Sequence, residues 1–211
     1  EEYQRMFDQM TESVLKDKTL KENFKNIKKI YFSRRKFGKA AATEFGEEYI
    51  EQCFNQNGYE SLGPETLTLR EQIYVWNHAE AIACMNGTIP LNVVFCKNEE
   101  LKLTILNKMS IYHKNPYIYL YMRNIQAEFI DIYKEPLKGY PKSLGEGPYL
   151  IKEGKEFFDY CQREKFEIPY TGMKLKFYDL KQEIRYYLCV IGIRNKIRRV
   201  GLYIKRKMLR R

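Results

Sequence analysis

Two arginines directly after one apolar strand, and a glycine directly after another, carry the clearest chemistry in this sequence. Ser33-Arg34-Arg35 closes the run Ile30-Tyr31-Phe32, and Asn86-Gly87-Thr88 closes the run Ala81 to Met85. Guanidinium groups grip phosphate oxygens in pairs. A glycine lets a ligand come close to the backbone, and a helix beginning just beyond it offers unpaired N–H groups to negative oxygens. Thr88 as cap, Pro90 in a first turn and an apolar face of Leu91, Val94 and Phe95 predict such a helix. Each cluster alone also has a plain reading: the arginines solvate a loop, and the glycine makes an ordinary strand-to-helix turn. A third polar turn, Gly63-Pro64-Glu65, ends a further strand.

Those turns need elements to hold them. Helical spacing of Tyr3, Phe7, Met10, Val14 and Leu15 predicts a helix over residues 1 to about 25. Strands are expected over 27–33, 59–62, 79–85, 101–106 and 127–133. Helices are expected over 47–56, stopped by Asn57-Gly58 in a left-handed cap, over 68–77 behind the capping box Thr68-Leu-Arg-Glu71, over 115–125 and over 155–164. Strand alternating with helix, without hairpin signals, implies an α/β fold with a Rossmann-like parallel sheet flanked by helices. Ligands on such sheets bind beyond the C-terminal ends of the strands, where all three polar turns fall. Residues 136 to 154, rich in Gly and Pro, read as a long loop.

The chain has 211 residues and a formal net charge of +10. From Gly172 to Arg211 there are thirteen Lys and Arg against two acids, so this stretch carries +11 and the first 171 residues sum to −1. That asymmetry argues against a domain whose whole surface binds nucleic acid. The expected organisation is an N-terminal helix or linker over 1–26, a Rossmann-like domain over 27–168 and a basic helical tail over 169–211. The five cysteines are scattered and never form a C-x-x-C pair, which fits reduced thiols in the cytoplasm and no zinc site. His78 and His113 lack partners at metal-ligand spacing and read as core or surface residues. With no initiator Met or signal peptide, the chain reads as the C-terminal piece of a longer protein or a trimmed one.

The order of motifs resembles glycosyltransferase family 61. Lys29-Ile-Tyr-Phe-Ser-Arg-Arg35 is similar to that family's "IYISR" strand, and Thr43-Glu44 to its Asn-Glu pair. Gly58-Tyr59-Glu60 is similar to a "G-F/Y-E" strand entry. Pro64-Glu65 through Leu69-Arg70-Glu71-Gln72-Ile73, then Ala79, resembles "PE…LS…EQI". Gly87 to Phe95 resembles the family's glycine block. These five blocks run in register from about residue 28 to residue 96. Leu106-Asn107-Lys108 and Ile130-Asp131 resemble the bacterial branch. The chain departs from the pattern at Asn86 and Leu91, where many members carry His.

The resemblance implies the C-terminal half of a two-domain GT-B glycosyltransferase. Such an enzyme moves a sugar from a nucleotide-sugar donor to a glycan or lipid-linked acceptor, inverting and without a bound metal or other cofactor. The missing N-terminal half would supply much of the acceptor side, and surface polysaccharide synthesis would be the setting. It implies a donor site of Ser33, Arg34, Arg35, Gln72, Asn86, Gly87, Thr88 and Asn92, with no catalytic base assigned. Among these, Gln72 reads equally as a contact to ribose or base and as a structural amide, and Asn92 bonds its own loop as readily as a ligand. Glu44 and Glu47 precede a helix, where acids suit the dipole, and that reading outweighs catalysis by either. Met173 to Arg211 is expected to be helical, as two helices or one kinked at Gly192. Phe177, Leu180, Ile184, Tyr187 and Ile191 form one stripe at helical spacing, and the first half of the segment is expected to dock on the domain. Residues 194–211, basic throughout, are expected to rest on an anionic membrane at the inner face. The competing function is a non-catalytic Rossmann-like binding module whose basic tail binds membrane or, less well supported, nucleic acid.

Overall fold

The computed structural model describes residues 2–111, 113–134 and 147–192. Helices α1 (Glu2–Leu15) and α2 (Lys18–Phe24) lead into strand β1 (Lys29–Phe32). Then come α3 (Gly38–Thr43), the two-residue strand β2 (Glu44–Phe45), α4 (Glu47–Gln56) and β3 (Glu60–Leu62). Helix α5 (Leu69–His78), β4 (Ala81–Met85), a 3-10 helix (Ile89–Phe95) and β5 (Lys102–Asn107) follow. The chain continues through α6 (Asn115–Arg123), β6 (Ala127–Asp131), β7 (Tyr149–Leu150), α7 (Lys155–Arg163) and α8 (Gly172–Val190).

Five strands make one parallel sheet in the order β3-β1-β4-β5-β6. The Rossmann-like parallel sheet is therefore present. Alternation along the strands divides the core. Ile30, Phe32, Ile82, Cys84, Leu103 and Ile105 face α1, α2, α5, α6 and the 3-10 helix, with Trp76 and Val93 fully buried there. Tyr31, Ala83, Met85, Leu106 and Ile130 face α4 and α7. From β1 the chain moves outward to β3, then crosses back through α5 to β4 on the other side of β1. The winding reverses between β1 and β4, and a crevice opens outside the carboxyl ends of strands at such a reversal.

Several expectations need correction. The helix expected over residues 1 to 25 is two helices, because Asp17 caps a new one by accepting from the N–H groups of Thr19 and Leu20. Both pack into the sheet's core through Val14, Leu20 and Phe24. The helix after Gly87 is 3-10, not α. At three residues per turn, Pro90, Val93 and Cys96 align on one buried face. Thr88 already has helical backbone angles and makes no side-chain cap bond. Within the expected loop 136–154, Tyr149–Leu150 pairs in parallel with Glu44–Phe45, and Tyr133 bridges Ile151. Residues 135–146 lie outside the described residues, as does the tail 193–211. Helix α8 docks on the domain through Leu175, Gln182 and Tyr186; of the apolar stripe Tyr187 packs there too, while Phe177, Leu180, Ile184 and Ile191 are exposed.

Candidate functional site

Lys108 is the residue that defines the site. It follows β5 immediately and is 3% exposed. Its ammonium lies 2.7 Å from the Glu44 carboxylate and 4.1 Å from the centre of the Tyr149 ring. Arg34, just past β1, reaches the same Glu44 oxygen from 3.3 Å. Both cations thus share Oε1 of Glu44, while its Oε2 is buried without a hydrogen-bond partner, as is Nε of Arg34. Burial pushes the Lys108 pKa down, helped by the like charge of Arg34 and opposed by Glu44.

Local structure fixes each member. Glu47, first residue of α4, accepts from the Arg34 backbone N–H at 2.8 Å and from the Tyr31 hydroxyl at 3.2 Å. Burial lifts the Glu47 pKa to about 7, so near neutrality much of it is uncharged. A partly neutral Glu47 offsets less of the basic charge of Arg34 and Lys108, which favours an incoming anion. Glu44 is placed by the β2–β7 pair, and that pair depends on Gly46. Gly46 has φ +106, and a Cβ there would sit 2.0 Å from the Ile151 carbonyl oxygen.

On the sheet side an amide ladder crosses the strand ends. Asn86 Nδ2 donates to Asn107 Oδ1 at 2.8 Å, and Asn107 Nδ2 donates to Asp131 Oδ1 at 2.8 Å. The ladder holds Asn86, 1% exposed, with its Oδ1 buried and unpartnered. Such atoms are costly unless something else satisfies them. Around the ion cluster lies a cleft of about 430 Å³ lined by Arg34, Phe37, Ala40, Thr43, Glu44, Gly87, Thr88, Lys108, His113, Gly147 and Tyr149. It sits at the β1/β4 reversal.

Of the residues expected at a site, Arg34, Gly87 and Thr88 line this cleft, while Asn86, directly before Gly87, is buried and does not line it. Gly87 needs no special backbone angle, and a Cβ on it meets only Arg34 Nη1 at 3.8 Å. The other four are placed elsewhere. Arg35 turns away to Glu51 at 2.7 Å and Glu48 at 3.3 Å. Ser33 accepts from the Arg35 N–H at 3.3 Å. Gln72 donates to the carbonyls of Pro64 and Leu67, and accepts from Asn92 at 2.7 Å, so these two amides brace the turn after β3. From sequence, Glu44 reads as a helix-dipole acid, His113 as a core or surface residue and Lys108 as part of a family-like motif, so none of them is placed at a site, and Tyr149 is not weighed for one. A lysine directly behind an apolar strand, at the same edge as Arg34, was the available signal for Lys108. Tyr149 left none, since two-residue strands show no periodicity.

A family model described as Glycosyltransferase 61 matches residues 1–106. The match covers β1, β4, Arg34, Glu44 and the Asn86–Thr88 turn, and stops two residues short of Lys108. Among curated proteins none matches the chain.

Proposed function

The chain belongs to glycosyltransferase family 61, and on that premise we propose that its cleft seats the diphosphate of a nucleotide-sugar donor. The observation that carries the reading is the Arg34–Glu44–Lys108 cluster, with donor and acceptor atoms left unsatisfied, at the mouth of a parallel sheet's reversal. Arg34 and Lys108 approach from two strands, so each can take a different oxygen of a diphosphate. Transfer breaks the bond between the sugar's anomeric carbon and the diphosphate while an acceptor hydroxyl forms the new bond from the opposite face and gives its proton to a carboxylate base. The leaving oxygen gains negative charge as this happens. Two cations already fixed by Glu44 and Glu47 stabilise that charge with little reorganisation. In this reading the chain is the donor-binding half of a two-domain enzyme, inverting and independent of metal, working on a surface glycan.

Calorimetry with UDP, GDP and CDP tests it. Arg34→Ala and Lys108→Met should each weaken binding of the preferred nucleotide by ~1.5–3 kcal/mol, the worth of a direct charge-assisted bond. Arg35→Ala, with its guanidinium on Glu48 and Glu51, should bind like the parent. Equal binding by folded Arg34→Ala, Lys108→Met and parent protein would remove the cleft from donor recognition.

A further inference from the structure

Helix α8 is apolar on two opposite faces, and the domain covers one of them. Leu175, Gln182 and Tyr186 are buried against the domain. Met173, Phe177, Leu180, Ile184, Leu188 and Ile191 form a single stripe on the far side, between 41% and 66% exposed. The helix's charges are just as divided. Its two acids turn inward: Asp179 meets Lys152 at 3.0 Å and Glu183 meets Lys134 at 2.7 Å. The charges α8 exposes beside the stripe are the cations Lys174, Lys176 and Lys181, while Arg185 turns back over the Phe45 ring. Past Gly192, whose φ of +72 ends the helix, residues 193–211 add nine Lys and Arg and no acid.

We propose that α8 lies in the surface of an anionic phospholipid membrane, with this stripe in the acyl boundary and the flanking cations among the headgroups. An amphipathic helix lying in the interface is held by buried apolar area together with attraction to anionic lipid. Here each partner's demand is met: the stripe needs an apolar medium, and its rim needs negative charge. A second copy fits poorly, because pairing two such stripes sets Lys174, Lys176 and Lys181 against one another. Crossing the membrane is excluded for α8, since no described helix is long and apolar enough. The domain-side contacts of α8 place β2 and β7 just beneath it, so the cleft around Glu44 and Tyr149 would be held near the membrane. The inference stands apart from the donor reading, because it makes no use of sugar chemistry.

Vesicle sedimentation of the full chain tests it. The parent should bind phosphatidylserine-containing vesicles, and bind pure phosphatidylcholine much more weakly. Phe177→Asp/Ile184→Asp lies on the exposed face and should stay folded by circular dichroism. It should nonetheless lose roughly 100-fold in affinity while keeping every tail cation. Unchanged binding by that variant would assign attachment to residues 193–211 alone and overturn the proposal. So would failure of the parent to bind, or a dimer in analytical ultracentrifugation that the double substitution disperses.

Discussion

Lys108 and Glu44 are each about as buried as an ionised side chain gets, at 3% and 2% side-chain exposure. Taking one partner away leaves the other charged and desolvated, which costs about 3–5 kcal/mol, whereas replacing both with neutral groups costs far less. Lys108→Met should therefore destabilise the protein by ~3 kcal/mol in urea denaturation. Glu44→Gln/Lys108→Met should recover most of that loss. Arg34 still shares Glu44 in the single variant, which places the effect at the low end of the range. If the double variant is as unstable as the sum of the singles, the pair is not coupled and the geometry of the cluster is wrong. The pair joins residues 64 apart in sequence. No periodicity marks such a contact, and the family-like Leu106-Asn107-Lys108 run does not say what Lys108 touches. Arg34 and Arg35 were indistinguishable until α4 supplied Glu48 and Glu51 for the second.

At the scale of elements, legibility follows locality. Helix α4 begins at Glu47 and ends at Gln56, the limits read from Tyr49, Ile50, Cys53 and Phe54 and from the Asn57-Gly58 stop. The capping box at Thr68 forms with both of its bonds. Both depend on neighbours within a few residues. The β2–β7 pair joins segments more than a hundred residues apart, two residues each, and is invisible beforehand. In α8 the periodicity exposed an apolar stripe, and the opposite face, with Leu175, Tyr178 and Tyr186, proved to be the docked one. A helix apolar on both sides does not say which side is inward. Two glycines separate the roles of backbone and space. Gly46→Ala forces a non-glycine residue to φ +106 and drives Cβ into the Ile151 carbonyl. It should cost at least about 2 kcal/mol and loosen the strand that carries Glu44. Gly87→Val has room for its Cβ, so the fold should survive, while its methyl groups enter the cleft beside Arg34 and block the nucleotide. An unfolded Gly87→Val protein would move that glycine from ligand approach to packing.

For the whole molecule, pH brings the cleft and global stability together. Glu47 has its folded pKa raised from 4.5 to about 7 by burial, and Glu153 is raised to about 7 by burial and by Asp179 nearby. An acid with a raised folded pKa binds its proton more tightly in the native state, so between about pH 4.5 and pH 7 the native protein holds more protons than the unfolded chain. Stability from these groups is therefore present at the acidic end and falls as pH rises. For Glu47 the full effect is on the order of 3 kcal/mol. The lowered carboxyls Glu71 and Glu183 act in the opposite sense, losing their stabilisation only below their unfolded values, outside this window. Falling net positive charge also favours the fold as pH rises. The readout is thus a difference. The stability of Glu47→Gln minus that of the parent should grow by a few kcal/mol from about pH 5 to about pH 7.5, because a glutamine oxygen still accepts from Arg34 and Tyr31. A difference that stays constant with pH would mean that Glu47 is already ionised in the native state. The same titration reaches the cleft, since ionised Glu47 adds a negative charge behind Arg34. Affinity for a nucleotide-sugar, whose diphosphate does not itself titrate here, should decline in the parent as pH rises through about 7 and stay level in Glu47→Gln. Parallel decline in both proteins would separate Glu47 from the anion site and leave it a residue of the fold alone.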